Sequence, residues 1–220
     1  MMISPSDSAV RSDMSSSRAG LLNQVRNSDP ARLGSLLELY RNYLSLLATG
    51  QLDRKLRGRV SASDLVQETM MEAHRDFHQF RGQSEAEFIG WLRRILVNNL
   101  ARSIEMHVLA EKRDVRREVS IERLNAAVER STIQLGLAFA GREDSPSVKF
   151  ERNERAVDLA NQMSRLSAEH REVLVLRNLQ SLPFKEVAAR LDRSVPAAKM
   201  LWMRAIKKLR EAYDEQGPVE

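Results

Sequence analysis

The chain contains no cysteine, few aromatic residues and few turn formers. The lack of cysteine excludes disulfide bridges and thiolate metal sites. With 5% aromatic residues, nine glycines and six prolines, the composition favours helices over a turn-rich β protein. No apolar run approaches the roughly 20 residues of a membrane-spanning helix, and residues 1–29 lack the apolar stretch of a signal peptide. We therefore expect a protein of the cytoplasm with no membrane partner.

The charge balance is slightly basic. There are 35 Lys and Arg residues against 30 Asp and Glu residues, which gives a formal net charge of +5. Such an excess is compatible with a polyanionic partner but does not establish one. Hydrophobic residues make up 42% of the 220 residues, which is enough to form one large core or two small ones.

By composition, the chain divides into four parts. Residues 1–30 are rich in serine and poor in large apolar side chains, which predicts a disordered tail. Residues 31–112 and 150–215 carry helical patterns. Residues 113–149 are interrupted by glycine and proline, although Ile121–Arg130 has a helical pattern, and they predict a flexible linker that spans about 35 Å. The expected fold class is therefore all-α, with two small helical domains joined by a flexible linker.

The first domain shows three helical segments. Apolar residues recur from Leu33 to Leu47 with the spacing of one helix face. Ser61 precedes a second helix and Ser84 a third, and each is followed three residues later by an acidic residue, as in a capping box. The third helix is expected to run to about residue 110.

The second domain ends in a predicted helix-turn-helix over Pro183–Arg210. It lies within a four-helix DNA-binding unit that resembles a winged helix without strands. Asp192 fits the turn, because aspartate tolerates the left-handed conformation, and Ser194 is placed to cap the recognition helix Val195–Arg210. From Arg193 to Arg210 six residues are basic and none is acidic. This asymmetry indicates a DNA-binding surface, and an ordinary helical hairpin with a basic side is the alternative.

Other candidate residues have plainer interpretations. Trp202 fits half-buried packing better than base stacking. His74 and His78 are four residues apart, as metal ligands on a helix can be, but no third ligand is evident in the sequence. Because neither a phosphate-binding loop nor a nucleophile motif appears, we expect no enzymatic activity, no metal and no cofactor.

Two groups of short motifs follow one another along residues 36–210. The first comprises Asp64-Leu-Val-Gln-Glu-Thr69, Phe77–Gly82, Trp91-Leu-Arg-Arg-Ile95 and Asn98-Asn99. The second comprises Leu166-Ser-Ala-Glu-His-Arg-Glu-Val-Leu174, Glu186-Val-Ala188, Leu191, Ser194, Lys199 and Arg204-Ala205. Their order and spacing resemble bacterial RNA polymerase sigma factors of the extracytoplasmic-function group of the sigma-70 family. The first group is also similar to a subgroup abundant in planctomycete bacteria.

This resemblance implies a function and partners. The chain would bind core RNA polymerase, recognise the −10 and −35 promoter elements and promote DNA melting, without covalent chemistry. Its partners would be the β′ clamp helices and the β subunit of the polymerase and promoter DNA, and an anti-sigma factor is a further candidate. Five residues of the second helix would dock on the clamp helices: Asp64, Gln67, Glu68, Met71 and Arg75. A plain solvated face is the alternative for this set.

The resemblance also implies two DNA-binding sets. The loop after the second helix would capture a flipped base of the −10 element, and the next helix would contact the exposed strand, through Phe80, Arg81, Gln83, Ser84, Trp91, Arg94, Asn98 and Arg102. A core tryptophan is the alternative for Trp91. The helix-turn-helix would bind the −35 duplex through Arg193, Ser194, Ala197, Lys199, Met200, Arg204, Lys207 and Lys208.

The helix-turn-helix departs from the family pattern. Asp192 stands where glycine is usual, and Pro196, Met200 and Leu201 replace polar or basic residues. We therefore expect this unit to position the protein through phosphates more than it specifies the sequence. Two other functions remain open from the sequence: a stand-alone helix-turn-helix regulator that never binds polymerase, and a helical adaptor that does not bind DNA.

Overall fold

The computed structural model describes residues 18–27, 30–52, 60–106, 121–137 and 149–214. Within these ranges every regular element is helical, so the all-α prediction is confirmed. The helices are α1 (residues 18–27), α2 (Leu33–Glu38), α3 (Arg41–Gln51), α4 (Ala62–Asp76), α5 (Glu85–Ile104), α6 (Ile121–Leu137), α7 (Lys149–Arg165), α8 (Ala168–Leu174), α9 (Phe184–Arg190) and α10 (Val195–Asp214). Short 3-10 helices at Pro30–Arg32 and Phe77–Gln79 and a π-helix at Val175–Leu179 complete them.

Side-chain caps mark the helix starts, and the sequence predicts those of Ser61 and Ser84. The hydroxyl of Ser61 accepts a hydrogen bond from the backbone N–H of Asp64, and that of Ser167 accepts one from His170. Ser84 forms a full capping box with Glu87. Each bond satisfies a backbone donor that the first helical turn would leave unpaired.

The predicted helix over Leu33–Leu47 is divided in two. A turn at residues 39–40 separates α2 from α3. The apolar residues on both sides of the turn are all buried: Leu36, Leu37, Tyr40 and Leu44. The turn therefore changes the direction of the chain, while the apolar faces of α2 and α3 stay in the core. The end of the third helix near residue 110 lies outside the described residues, and α5 itself ends at Ile104.

The predicted disordered tail of residues 1–30 is wrong for α1. Leu22 and Val25 are 1% and 2% exposed and belong to the main core. Two apolar residues three apart are sufficient to anchor a short helix on an existing core, and the serine-rich composition concealed them. Residues 1–17 lie outside the described part of the chain.

The predicted linker is also partly wrong. Helix α6 occupies residues 121–137 and packs against α3, α5 and α7. Val128 and Ser131 are 1% and 2% exposed, and the Ser131 hydroxyl accepts a hydrogen bond from Gln51 Nε2 at 3.0 Å. The helical pattern of Ile121–Arg130 was therefore the stronger signal. Residues 113–120 and 138–148 lie outside the described residues.

One apolar core joins the two halves of the molecule. Helix α3 packs against α7 and the π-helix, and a Cβ placed at Gly50 would lie 3.5 Å from Leu179 Cβ. The side-chain amide of Gln180 donates to the carbonyl oxygens of Thr49 and Leu52 at 3.4 and 3.2 Å. The halves are thus packed directly on each other in this structure.

Candidate nucleic-acid interface

Four aromatic rings form a cluster at the junction of α4 and α5. Phe80 lies 5.4 Å from Phe88 and 5.3 Å from Trp91, measured between ring centroids, and Phe77 lies 6.0 Å from Phe80. Phe88 is fully buried, whereas the other three are half-buried. Edge and tilted contacts of this kind fix ring orientation, so the outer rings of Phe80 and Trp91 are held at the surface by the buried ring.

A cavity of about 650 Å³ opens beside this cluster. Its lining combines Phe80 and Trp91 with the guanidinium groups of Arg81, Arg93 and Arg94. Aromatic faces stack on unpaired bases, and arginines bind the accompanying phosphates. Four of the predicted −10 residues, Phe80, Arg81, Trp91 and Arg94, therefore line one cavity whose chemistry suits single-stranded nucleic acid.

A capping network shapes the loop at the rim of the cavity. One carboxylate oxygen of Glu87 accepts from the backbone N–H groups of Gln83 and Ser84 at 2.8 and 3.0 Å, and from the Ser84 hydroxyl at 2.9 Å. The Ser84 hydroxyl is thus engaged in the helix cap, whereas the Gln83 side chain is exposed. These hydrogen bonds lower the pKa of Glu87.

Protonation of Glu87 is expected to loosen this loop. Because its pKa is lower in the folded state, the carboxylate contributes stability above its ordinary pKa of 4.5, and that stability is lost as the pH falls through the folded pKa. A Glu87→Gln variant should therefore lose less stability than the parent between about pH 6 and pH 3. Urea denaturation across this range measures the difference, with Glu186→Gln on α9 as the control. Parallel curves for the parent and Glu87→Gln would contradict the role of the carboxylate.

A glycine is required where the loop passes the aromatic cluster. A Cβ at Gly82 would lie 2.4 Å from Phe80 Cζ and 2.8 Å from Glu87 Cβ. Both distances are below van der Waals contact, so any larger residue would displace the Phe80 ring or the capping glutamate. The close approach, not a positive φ, explains the glycine.

The last two predicted −10 residues lie further along α5. Asn98 and Arg102 are exposed. Arg102 donates to Asn99 Oδ1 at 3.1 Å and to Glu68 Oε1 at 3.4 Å. Asn99 is buried and its amide donates to the Thr69 hydroxyl at 3.4 Å. A polar chain thus runs through the core from α4 to the surface of α5 and holds Arg102.

Sequence reasoning left three contributors out of the predicted site residues, although each lies in one of the quoted motifs. Arg93 lines the cavity, Asn99 positions Arg102, and Gly82 allows the loop to approach Phe80. Arg93 adjoins the predicted Arg94, so the basic pair was visible in the sequence. The other two depend on contacts that no local pattern encodes.

The predicted polymerase-docking residues form one exposed face of α4. Asp64, Gln67, Glu68, Met71 and Arg75 are all exposed, and Met71 has 65% of its surface accessible. The opposite face buries Leu65, Val66, Thr69 and Ala73. Met71 thus adds apolar area to a face that is otherwise polar.

The helix-turn-helix has the geometry that the sequence predicts. Asp192 adopts the left-handed conformation with φ of 51°, and the Ser194 hydroxyl accepts from the backbone N–H of Ala197 at 3.3 Å. Pro183 is the N-cap of α9. Ala198 and Leu201 of α10 are buried.

An aromatic pair fixes α10 on the rest of this domain. Trp202 is half-buried and lies 5.7 Å from Phe184, and its indole N–H donates to Asn178 Oδ1 at 3.0 Å. The packing interpretation of Trp202 is therefore confirmed. Arg177 lies over the Phe184 ring at 4.9 Å, so this ring contacts both the tryptophan and a guanidinium group.

The predicted −35 residues share the solvent side of α10 and its turn. Ala197 is half-buried, and the exposed members are Arg193, Ser194, Lys199, Met200, Arg204, Lys207 and Lys208. Arg193 pairs with Glu169 at 2.8 Å and Lys207 with Glu211 at 3.6 Å. Burial lowers the pKa of His170, and the charges of Lys208 and Arg204 lower it further, while the carboxylate of Glu169 acts in the opposite direction.

Two further findings concern the described residues only. They hold no group of three potential metal ligands, so His74 and His78 stand without a third ligand there. None of their helices is both long and apolar enough to cross a membrane.

Comparison with known proteins identifies both halves. Residues 39–107 match the family described as sigma-70 region 2, and residues 163–211 match sigma-70 region 4. The chain is also similar to RNA polymerase sigma factor YlaC of Bacillus subtilis (strain 168), with 25% identity over 179 residues, which cover 80% of this chain and 91% of that protein. The two region matches together span more than half of the chain, and region 2 precedes region 4. The chain therefore belongs to the extracytoplasmic-function group of the sigma-70 family, and it is a non-enzymatic transcription initiation factor that binds core RNA polymerase and promoter DNA.

Proposed function

We propose that the two halves divide promoter recognition between them. The cavity beside the aromatic cluster takes a flipped base of the −10 element, and α10 binds the −35 element as duplex. The observation that carries this proposal is the position of the cavity, where exposed edges of Phe80 and Trp91 adjoin Arg81, Arg93 and Arg94.

In the −10 region, binding energy would come from stacking and charge. A base stacked on an aromatic side chain gains about 1–3 kcal/mol, and the arginines offset the repulsion of the adjoining phosphates. Gln83 at the rim presents an exposed amide that can read a base edge, while Ser84 and Glu87 hold the loop. Asn98, with Arg102 supported by Asn99 and Glu68, extends the path along α5 for the downstream part of the strand.

In the −35 region, α10 presents mixed chemistry. Lys199, Arg204 and Lys208 suit phosphates, whereas Met200 is apolar and 49% exposed. Apolar side chains in the major groove contact thymine methyl groups. We infer that this helix positions the factor mainly through contacts with the phosphate backbone of the DNA and reads few base edges.

Helix α4 would attach the factor to the polymerase. Its exposed face carries two carboxylates, one guanidinium and the apolar Met71, and the partner would be the clamp helices of the β′ subunit. Since transcription initiation takes place on the chromosome, the protein would act in the bacterial cytoplasm.

The test is reconstitution with core polymerase. Pull-down should recover the full chain with core enzyme, and footprinting of the assembled complex should protect both promoter elements. Absence of core binding would favour a stand-alone helix-turn-helix regulator. Core binding without DNA protection would favour an adaptor.

Replacing Arg204 by alanine should weaken DNA binding at every sequence. The side chain is exposed on the basic side of α10, and loss of one phosphate contact lowers the slope of log K against log salt by about 0.9. Titration of duplex DNA at several salt concentrations measures the slope. Arg165→Ala, at the end of α7, is the control. An unchanged slope for Arg204→Ala would remove this residue from the phosphate contacts.

A further inference from the structure

Three segments that are distant in sequence meet at one buried arginine. Arg18 of α1 donates through Nε to Glu85 Oε1 at 2.6 Å and through Nη1 to Asp158 Oδ1 at 2.5 Å. The Tyr40 hydroxyl donates to the same Glu85 oxygen at 3.1 Å. Glu85 begins α5 of region 2, whereas Asp158 lies on α7, just before the residues matched to region 4. Arg18 thus joins the two halves of the molecule.

The environment makes this link strong. The side chains of Arg18 and Glu85 are 5% and 1% exposed, and that of Asp158 is 16% exposed. Burial alone lowers the pKa of Arg18, but hydrogen bonds and charges from Asp158 and Glu85 together outweigh it and raise the pKa. Since an unpaired buried charge is costly, separating α7 from α5 would leave this cluster incompletely paired.

The closed packing also places α6 over the −10 cavity. Asn125, Val128 and Glu129 of α6 line the same cavity as Arg81 and Arg94. The exposed carboxylate of Glu129 adds a negative charge beside the arginines that would bind DNA phosphates. Single-stranded DNA would therefore meet both a steric and an electrostatic obstacle at this site.

The closed form is too small to reach both promoter elements. A compact chain of this length has a radius of gyration of about 17 Å and a diameter of roughly 45 Å. Elements centred about 25 base pairs apart are separated by about 85 Å along B-form DNA. The two DNA-binding faces must therefore move apart before both elements are bound.

We propose that α1 is an intramolecular latch that holds the free factor closed and inactive through Arg18. Release of Arg18 from Asp158 lets the halves separate and uncovers the cavity. The inference rests on the proposed function for its effect on DNA binding, whereas the latch itself is a property of the free protein.

The absence of cysteine allows a direct distance measurement on the full chain. Cysteines introduced at His74 on α4 and Lys185 on α9, both exposed, accept spin labels for pulsed electron paramagnetic resonance. The parent should give one short distance. Arg18→Met should raise the ratio of open to closed molecules by at least about a hundredfold, as expected when a buried ion pair loses one partner. Arg26→Met, an exposed arginine on the same helix, should leave the distance unchanged.

A second, milder variant tests the latch even if Arg18→Met does not fold. Asp158→Asn retains the Arg18–Glu85 pair and should also shift the population towards longer distances, with helicity checked by circular dichroism. If Arg18→Met loses its helicity, Asp158→Asn alone decides. An unchanged short distance in the folded variants overturns the latch.

Binding of random single-stranded DNA of about 12 nucleotides separates the latch from the proposed site. Tighter binding by the opened variants than by the parent supports both. Opening without any gain in DNA binding leaves the latch standing and contradicts the assignment of the cavity.

Discussion

Replacing Phe88 by alanine should lower the free energy of unfolding by about 3–5 kcal/mol. The ring is fully buried and touches Tyr40 on one side and Phe77, Phe80 and Trp91 on the other, at centroid distances of 5.3 to 6.2 Å. Its removal leaves a cavity in the core and takes away the support of the two rings that line the −10 site. Chemical denaturation measures the loss.

A conservative variant separates stability from recognition. Phe88→Leu retains most of the buried volume but removes the edge contacts, so the chain should stay folded while Phe80 and Trp91 become less ordered. Binding of single-stranded DNA should then weaken more than binding of −35 duplex. Equal weakening of both would indicate a general loss of structure and would contradict the specific role of the cluster.

Asp64→Arg and Gln67→Arg should each weaken association with core RNA polymerase at least about tenfold. Both residues are exposed on the face of α4 opposite Leu65 and Ala73, so the substitutions change the charge of the docking face and leave the core untouched. Titration of labelled factor with core enzyme measures the affinity, and circular dichroism checks the fold.

The matched control for the first of these is Glu186→Arg. Glu186 lies in the first turn of α9, as Asp64 does in the first turn of α4, and both are exposed. Glu186→Arg and Asp64→Arg therefore change the charge by the same amount, and both do so in the first turn of a helix. Unaltered polymerase affinity in Asp64→Arg and Gln67→Arg would remove α4 from the interface. If Glu186→Arg weakens polymerase binding as much as Asp64→Arg does, the change in overall charge explains the loss and the position on α4 does not.

The features that sequence predicted well are local. Ser61, Ser84 and Ser194 each cap a helix, because a cap needs only a side chain and an N–H group three residues later. The left-handed Asp192 follows from its position between two amphipathic helices. The exposed face of α4 follows from the 3.6-residue period alone.

The features that sequence did not predict depend on contacts between distant segments. Arg18 meets Asp158 across 140 positions, and Arg102 meets Glu68 across 34. Composition alone predicted too much disorder in the serine-rich tail and in the linker. A few apolar residues, such as Leu22 and Val128, are enough to pack a helix once a core exists. The cavity itself is formed where residues 79–82, α5 and α6 meet.

The core shared by the two halves has a thermodynamic consequence. Separation of the halves would expose apolar side chains such as Leu179 to water, which raises the heat capacity. The free energy of opening should therefore depend on temperature in a curved and not a linear way. Calorimetry of polymerase binding should give a less negative heat-capacity change than the docking interface alone would produce, because part of the apolar surface that the enzyme covers is offset by the surface that the factor uncovers.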